Sequence, residues 1–509
     1  MSKPRCFHPL ILSVFPILFL YAHNMQEAVF EETIIPILLS LGITLLLWGL
    51  LRLALGNWRR SGLLVSLLLV LFYSYGHFYS LIEGTGFRIG DFLLGENKML
   101  LPLWAAIFLL GTWAIIRKRR EYLALTTILN VVSGALLVMT LFSIVTHLGG
   151  GKEMTADFHG LPEPTEAGTG EGLDIYYLIL DGYASADTLR DVFSFDNREF
   201  YDYLRSRGFY LPQPSYGNYA ATYLSLASSL NYEYLDPLVE KMGTDSQAKK
   251  PLLELIENNR VVAFLQAQGY KYVHVSSSGF WMTKRNRNAD WNLDCGGGSE
   301  FRTILIKSTL LNLWEDMLKN EYRRRALTAF EEIPRIRESI PGPRFVFAHF
   351  LIPHPPYVFG ADGEKVIQAG LHTEFHGWQY KEPYLNQLKF TNKKVRELLE
   401  KLLGDPEYRP IVVLQADHGP ASIGEWHDPS PEMIRERMGI FNAYLLPLAA
   451  EGLLYPEITP VNTFRVIFNG VFKTGLSLLE DRSFFSSYDR FYDMKDVTDI
   501  CRKPSPDRE

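Results

Sequence analysis

The sequence predicts an α/β protein in two parts. An N-terminal domain of five transmembrane helices precedes a domain with a mainly parallel central sheet flanked by helices. Three observations carry this expectation. The long apolar runs are confined to the first 150 or so of 509 residues. Three later, shorter apolar runs each end in a polar, chemistry-bearing residue. Helical patterns lie between those three runs, which is the alternation of a sheet with crossover helices.

The apolar segments span 8–23, 33–55, 61–80, 99–117 and 122–146. The last four approach the roughly 20 residues needed to cross a bilayer. The first is shorter. It is followed by "YAHNMQEAVFEE", which offers no small-residue cleavage site, so it reads as an uncleaved span. Basic residues cluster in "SKPR", in "NWRR" (57–60) and in "RKRREY" (117–122), whereas the alternate loops are acidic or mixed. The positive-inside rule puts all three clusters in the cytoplasm, and five spans then place everything after residue 147 outside. Residues 148–172, rich in Gly, Pro, Glu and Thr, have linker composition. The remaining segment, 173–509, is the expected extracytoplasmic catalytic domain.

In that domain "DIYYLIL" (174–180) ends in Asp181-Gly182, "RFVFAHFLI" (344–352) ends in "PHPPY", and "RPIVVLQA" (409–416) ends in Asp417-His418-Gly419. Each reads as a buried strand. Helical patterns at 197–208, 260–269 and 386–404 separate them. Ligands of such sheets bind at the carboxyl ends of the strands, so the three strand ends point to one place. The net charge of −6 gives no support to binding of nucleic acid or another polyanion. Of three cysteines, Cys295 and Cys501 are candidates for a disulfide in an oxidising compartment, and none has zinc-finger spacing.

Asp181, Asp417 and His418 supply two carboxylates and an imidazole, a donor set suited to a divalent metal that handles phosphate. A hydroxyl bound to the same ion would be an activated nucleophile. "NYAATYLSLASSLN" (218–231) offers Thr222, Ser225, Ser228 and Ser229. Thr222 stands between a polar turn and an apolar run, at the expected start of a helix, where backbone N–H groups favour phosphate. Taken singly, "LDG" and "DHG" read as turns, a Thr opening a helix as an N-cap, and the serines as back-bonded helix residues. Their joint occurrence at strand-to-loop junctions points to function. The loop 280–298 carries Trp281, Arg285 and Arg287, which read either as a solvated loop or as a clamp on phosphate oxygens. His349 and His274, inside apolar strands, read as buried, hydrogen-bonded histidines.

These motifs, with the five spans before them, resemble the sulfatase-like branch of the alkaline phosphatase superfamily. The resemblance is to its membrane-anchored members, such as lipoteichoic acid synthases and phosphoethanolamine transferases. It covers the spans and most of 173–475, and it implies an alkaline-phosphatase-like, sulfatase-like catalytic domain. "LILDGYASADTL" is similar to the family's first metal-binding strand, the segment around Thr222 to its nucleophile segment, "HFLIPHPPYVF" to its substrate-histidine segment and "LQADHGP" to its second metal motif. The resemblance implies metal ligands Asp181, Thr222, Asp417 and His418, with Thr222 as nucleophile, His354 acting on substrate, and a Zn2+ or Mn2+ cofactor. His427, in "GEWHDPS", is the candidate for a second metal or for substrate. The C-x-P-x-R motif of true sulfatases is missing, and Asp181 stands where the transferases usually have Glu.

The implied activity is transfer of a phospho-linked head group from a membrane phospholipid donor to an envelope glycan or lipid, through a phospho-threonine. A phosphodiesterase or phosphatase of the same chemistry is the alternative, ahead of a sulfatase or a non-enzymatic envelope protein.

Overall fold

The computed structural model describes residues 5–83, 88–89, 92–93, 97–117, 122–149, 172–277, 281–366 and 377–502. Most of the expected linker, and the basic residues 118–120, lie outside them. The chain forms two compact units, one of residues 1–153 with 298–318, the other of 154–297 with 319–509. A break at 148–172 alone does not anticipate the placement of 298–318.

In the first unit the five apolar segments are helices: α1 (His8–His23), α2 (Glu31–Leu55), α3 (Trp58–Glu83), α4 (Asn97–Arg117) and α5 (Leu123–Gly149). Among the described residues four of them, α2 to α5, are long and apolar enough to cross a membrane, against the five spans expected. The exception is α1, of 16 residues, which at 1.5 Å per residue reaches about 24 Å against a hydrocarbon core of ~30 Å. The outward faces are apolar. Leu53 on α2 is 83% exposed and Ile35 68%, a surface that water would penalise at ~25 cal/mol per Å² and lipid would not. Inward, α1 buries Ile17, Leu18 and Tyr21 against Ala28 and Ile144.

The second unit is built on a six-stranded sheet: β1 (Ile175–Leu180), β2 (Lys271–Ser276), β3 (Trp291–Asp294), β4 (Arg344–Phe350), β5 (Ile411–Gln415) and β6 (Asn442–Leu445), in the order β3-β2-β4-β1-β5-β6. All neighbours are parallel except β5 and β6. The three strands expected from sequence are thus the three central neighbours, in register through Leu178↔Ala348 and Leu178↔Leu414. Every residue of β1, β4 and β5 is buried, because helices cover both faces of a parallel sheet. That is why these strands read as continuous apolar runs and not as alternation. Beneath one face, Tyr177, Phe347, Phe464 and Phe468 share a core with Leu224, Leu226 and Leu230 of the segment around Thr222.

Five further helices carry or flank functional side chains: α6 (Thr222–Ser229), α7 (Trp281–Lys284), α8 (Glu300–Ser308), α9 (Lys381–Leu402) and α10 (Pro431–Met438). Cys295 and Cys501 are buried free thiols, so the candidate disulfide is not formed.

Candidate active site and metal centre

Because β1, β4 and β5 are adjacent and parallel, the residues at their carboxyl ends converge. Asp181 N donates to Phe350 O (2.9 Å) and His354 N to Asp181 O (3.0 Å), which ties the ends of β1 and β4. Gly182 N donates to Asp417 Oδ1 (3.2 Å), which ties β1 to β5. Gly182 has φ +69°, and a Cβ there would lie 2.4 Å from Trp378 Cη2. The turn after β1 therefore needs glycine twice over, for its left-handed backbone and for the indole above it.

Thr222 reaches this point as the first residue of α6. The N-cap is Ala221, extended at φ −131° and ψ 140°. The threonine is therefore not spent on capping, and its Oγ1 lies 3.2 Å from His418 Nε2. Two of the neighbouring hydroxyls are engaged elsewhere: Ser225 donates to Tyr219 O (3.0 Å) and Ser228 to Glu233 O (2.7 Å). His418 Nε2 also lies 3.5 Å from Asp181 Oδ1 and 3.4 Å from Asp417 Oδ2. Its Nδ1 donates to Gly419 O (3.0 Å). A carbonyl only accepts, so the proton sits on Nδ1 and Nε2 faces the cluster as a bare lone pair.

The two carboxylate oxygens nearest His418 Nε2, Asp181 Oδ1 and Asp417 Oδ2, are buried with no hydrogen-bond partner among the described residues. Orphaned carboxylate oxygens in a dry site are costly unless a proton or a cation meets them. Burial, reinforced by the Asp181 charge, pushes Asp417 up to about 7, and burial raises Asp181 as well. Burial holds His418 well below the ordinary histidine value, with the Arg437 guanidinium adding to it. Two carboxylates, a neutral imidazole and a hydroxyl, all aimed inward, fit a divalent metal.

His354, also buried, adds its ring at the same place: Asp181, His354 and His418 have ligand atoms within 4.8 Å of one another. Its Nδ1 donates to Pro355 O (2.5 Å), so the ring proton sits on Nδ1 and Nε2 carries a lone pair. The Trp378 indole stands at 82° to the His354 ring with centroids 4.7 Å apart. His349 is hydrogen-bonded, in keeping with the sequence reading, and its partner is informative. Its Nε2 lies 3.1 Å from Asp181 Oδ2, and its Nδ1 lies 3.0 Å from Thr283 Oγ1 on α7. With Nε2–H donating, His349 occupies one oxygen of Asp181 and leaves the other open to a cation, as partners of metal-binding carboxylates do.

Not every candidate joins the cluster. Arg287 is 82% exposed and pairs with Glu257 (3.1 Å). Arg285 is exposed; Trp281 opens α7, and its side chain lies outside what the structure describes. His427 is 78% exposed, its Nδ1 3.8 Å from Asp489 Oδ1, so it stands apart from the buried ligands.

Other residues were missed from sequence. Arg437 on α10 is fully buried. It donates to Ala220 O (2.6 Å), Gly419 O (2.8 Å) and Tyr488 Oη (3.0 Å). One guanidinium thus ties the approach to α6 to the loop that carries His418. From α9, Tyr384 accepts from Ala184 N and donates to Gly182 O (both 3.0 Å), while Gln387 Nε2 donates to His354 O (2.9 Å). The i, i+3 spacing of Tyr384 and Gln387 on the apolar face of an amphipathic helix was the available signal.

The sulfatase family model matches residues 193–491, more than half of the chain. No curated protein matches it. Similar solved structures include the integral membrane lipooligosaccharide phosphoethanolamine transferase A (EptA) from Neisseria meningitidis, at 12% identity, covering 91% of this chain and 95% of that one, with TM-score 0.40. The C-terminal periplasmic domain of EcEptC from Escherichia coli, in complex with Zn, aligns at 12% identity over 70% of this chain and 99% of that one, with TM-score 0.43. A putative sulfatase from Bacteroides thetaiotaomicron aligns at 12% identity over 63% and 75%, with TM-score 0.38. On the family match, which takes in Thr222, His354, Asp417 and His418, the chain belongs to the sulfatase family.

Proposed function

We propose that this protein is a membrane-bound, metal-dependent transferase that moves a phospho-linked head group from a membrane phospholipid to an envelope glycan or lipid. The observation that carries the reading is Thr222 Oγ1, uncommitted to capping, 3.2 Å from His418 Nε2 and beside two orphaned carboxylate oxygens. A family member with a hydroxyl nucleophile and no C-x-P-x-R cysteine is suited to phosphate esters. In this reading α1 is a short fifth crossing, the basic loops are cytoplasmic, and residues 173–509 face the outside. Membrane anchoring favours a lipid donor.

A divalent ion, zinc or manganese, would be held by Asp181, Thr222, Asp417 and His418, where it would lower the hydroxyl pKa and offset charge developing on phosphate. Thr222 attacks phosphorus, the P–O bond to the lipid breaks, and a phospho-threonine results. His354 Nε2 takes up the proton that Thr222 loses and gives it to the leaving lipid oxygen in the first half; in the second it takes the proton of the acceptor hydroxyl, which returns to Thr222 Oγ1 as the phospho-threonine is discharged. His349 keeps Asp181 oriented. Arg437, buried nearby, makes two adjacent carboxylates less costly.

The test is to incubate the full chain with phospholipid labelled in its head group and map the adduct by peptide mass spectrometry. The label is expected on Thr222, and then on a carbohydrate or lipid acceptor. An adduct on Ser225 overturns the nucleophile assignment, and free head group as the sole product shows a hydrolase.

A further inference from the structure

Buried hydrogen bonds run outward from the strand-end cluster in a single line. Asp181 Oδ2 meets His349 Nε2 (3.1 Å), and His349 Nδ1 meets Thr283 Oγ1 (3.0 Å). The Thr283 carbonyl accepts from His274 Nε2 (2.8 Å), and His274 Nδ1 accepts from Tyr272 Oη (2.9 Å). Asp181, His349, Thr283 and His274 are each at most 1% exposed.

Thr283 belongs to α7, in the connection between β2 and β3. It comes two residues before Arg285. The loop that reads in sequence as a phosphate clamp thus reaches the buried cluster through its threonine, while Arg285 and Arg287 face solvent. A helix of four residues has little stability of its own, and His274 on β2 pins this one by the Thr283 carbonyl. From just beyond β2, Ser277 donates to His349 O (2.6 Å). His349 is therefore held at its backbone by Ser277 and at its ring by Thr283.

The direction of the line is set at the carboxylate end. A neutral imidazole carries one ring proton. With that proton on Nδ1, Nε2 would turn a lone pair onto a carboxylate oxygen, acceptor against acceptor. With it on Nε2, His349 donates to Asp181 and Nδ1 becomes the acceptor. A lone pair left unmet in so dry a place is costly. The Thr283 hydroxyl, which can donate or accept, donates there. Every member then meets a partner of the right kind, and Asp181 Oδ1 keeps its orphaned lone pairs towards the cluster.

We infer that Thr283 is a positioning residue of the metal centre: its hydroxyl holds His349 in the Nε2–H tautomer, and His349 in turn fixes the Asp181 carboxylate with Oδ1 open to a cation. That the cation is a divalent ion rests on the reading above; the tautomer of His349 does not.

The full chain is labelled with 15N-histidine, and the ring nitrogens are read by NMR in the metal-free protein. The His349 signals are those missing from His349→Gln. The proton is expected on Nε2 in the wild type and in Thr283→Ser. In Thr283→Val, which keeps the shape and loses the donor, Nδ1 should lose its hydrogen-bonded shift. Zn2+ affinity, read against a competing chelator, should fall about fivefold in Thr283→Val, less than for a partner that touches the ligand itself. Thr283→Ser should bring it back to within about twofold of the wild type, because the hydroxyl is restored. In a His349→Ala background Thr283→Val should lower the affinity no further, since its effect passes through the ring. A proton on Nδ1 in the wild type overturns the inference. So does an equal loss with and without His349, or a serine variant as weak as valine; each makes Thr283 a packing residue. A wild-type chain that takes up no zinc overturns the metal reading instead, and the tautomer then decides the role of Thr283 by itself.

Discussion

Two clusters of candidate residues, the strand ends of β1, β4 and β5 and the loop between β2 and α8, looked alike in sequence and differ in structure. The first places Asp181, Thr222, His354, Asp417 and His418 in a dry, interlocked site, each buried. The second places Arg287 in solvent, paired with Glu257, and leaves Arg285 exposed. His427 belongs with the second group by exposure, although it comes only ten residues after Asp417. The difference teaches that a motif gains chemical force from what surrounds it. A carboxylate whose oxygen has no partner is poised for a cation, whereas an arginine with a partner in water is already satisfied.

Replacing Asp417 by Asn, or Thr222 by Ala, should have the largest effect. Thr222→Ala is expected to keep the thermal midpoint within a few degrees, since no cap is lost, and to lower turnover at least ~10³-fold, as removal of a nucleophile does. Asp417→Asn should lose the divalent ion measured by elemental analysis of the purified protein. Full metal content in that variant would remove the distinction between the two clusters.

His349→Ala tests whether the buried cluster extends one layer out. It should reduce metal affinity about 10- to 100-fold, the range for a lost partner of a ligand, while His349→Gln, which keeps a donor, recovers part of it. Equal affinity in both variants would make His349 a packing residue.

Acid should undo the buried side before the exposed one. His274 is buried, accepts from Tyr272 Oη and donates to Thr283 O, and burial lowers it to about 4. A histidine kept neutral in the fold and protonated in the unfolded chain contributes stability above about 6.5, and that stability is lost as pH falls towards 4. The slope approaches ~1.4 kcal/mol per pH unit for each such group. His274→Gln should flatten the acid limb of a urea-midpoint titration, and an unchanged limb would exclude His274 as its source.

The smallest effect is expected at the exposed cluster. Arg287→Ala and His427→Ala should each shift stability by no more than ~0.5 kcal/mol and leave metal content intact. A large loss of metal in His427→Ala would restore it to the site.

Much of the site was legible because each of its parts is local. A strand that ends in Asp-Gly or Asp-His-Gly announces both its burial and its exit. The threonine between a polar turn and an apolar run marks a helix start. What was hidden depends on pairings through space. Arg437 looks like any arginine of a charged helix, "PEMIRERM", until its hydrogen bonds to Ala220 and Gly419 are known. Trp378 gains meaning only from Gly182 and His354 beneath it. Residues 298–318 have the mixed polarity of a soluble helix pair, so nothing in their composition separates them from the catalytic half. The length of α1 was the opposite case: its 16 residues were readable, but the orientation argument needed a fifth crossing.

The strand order has a consequence for biogenesis. Of the sheet's strands β1 emerges first from the ribosome, yet it is the one flanked on both sides by later partners, β4 and β5. The hydrogen bonds that close around it span 168 residues, from Asp181 to His349, and 235 residues, from Gly182 to Asp417. Such long-range pairing is slow and leaves strand edges open in the interval. The newborn chain therefore carries one edge of this buried strand unpaired until residues 411–415 have been made. On the proposed assignment, a nascent chain halted before residue 411 would carry Asp181 and Thr222 without Asp417 and His418, so bound metal would report that synthesis has passed β5.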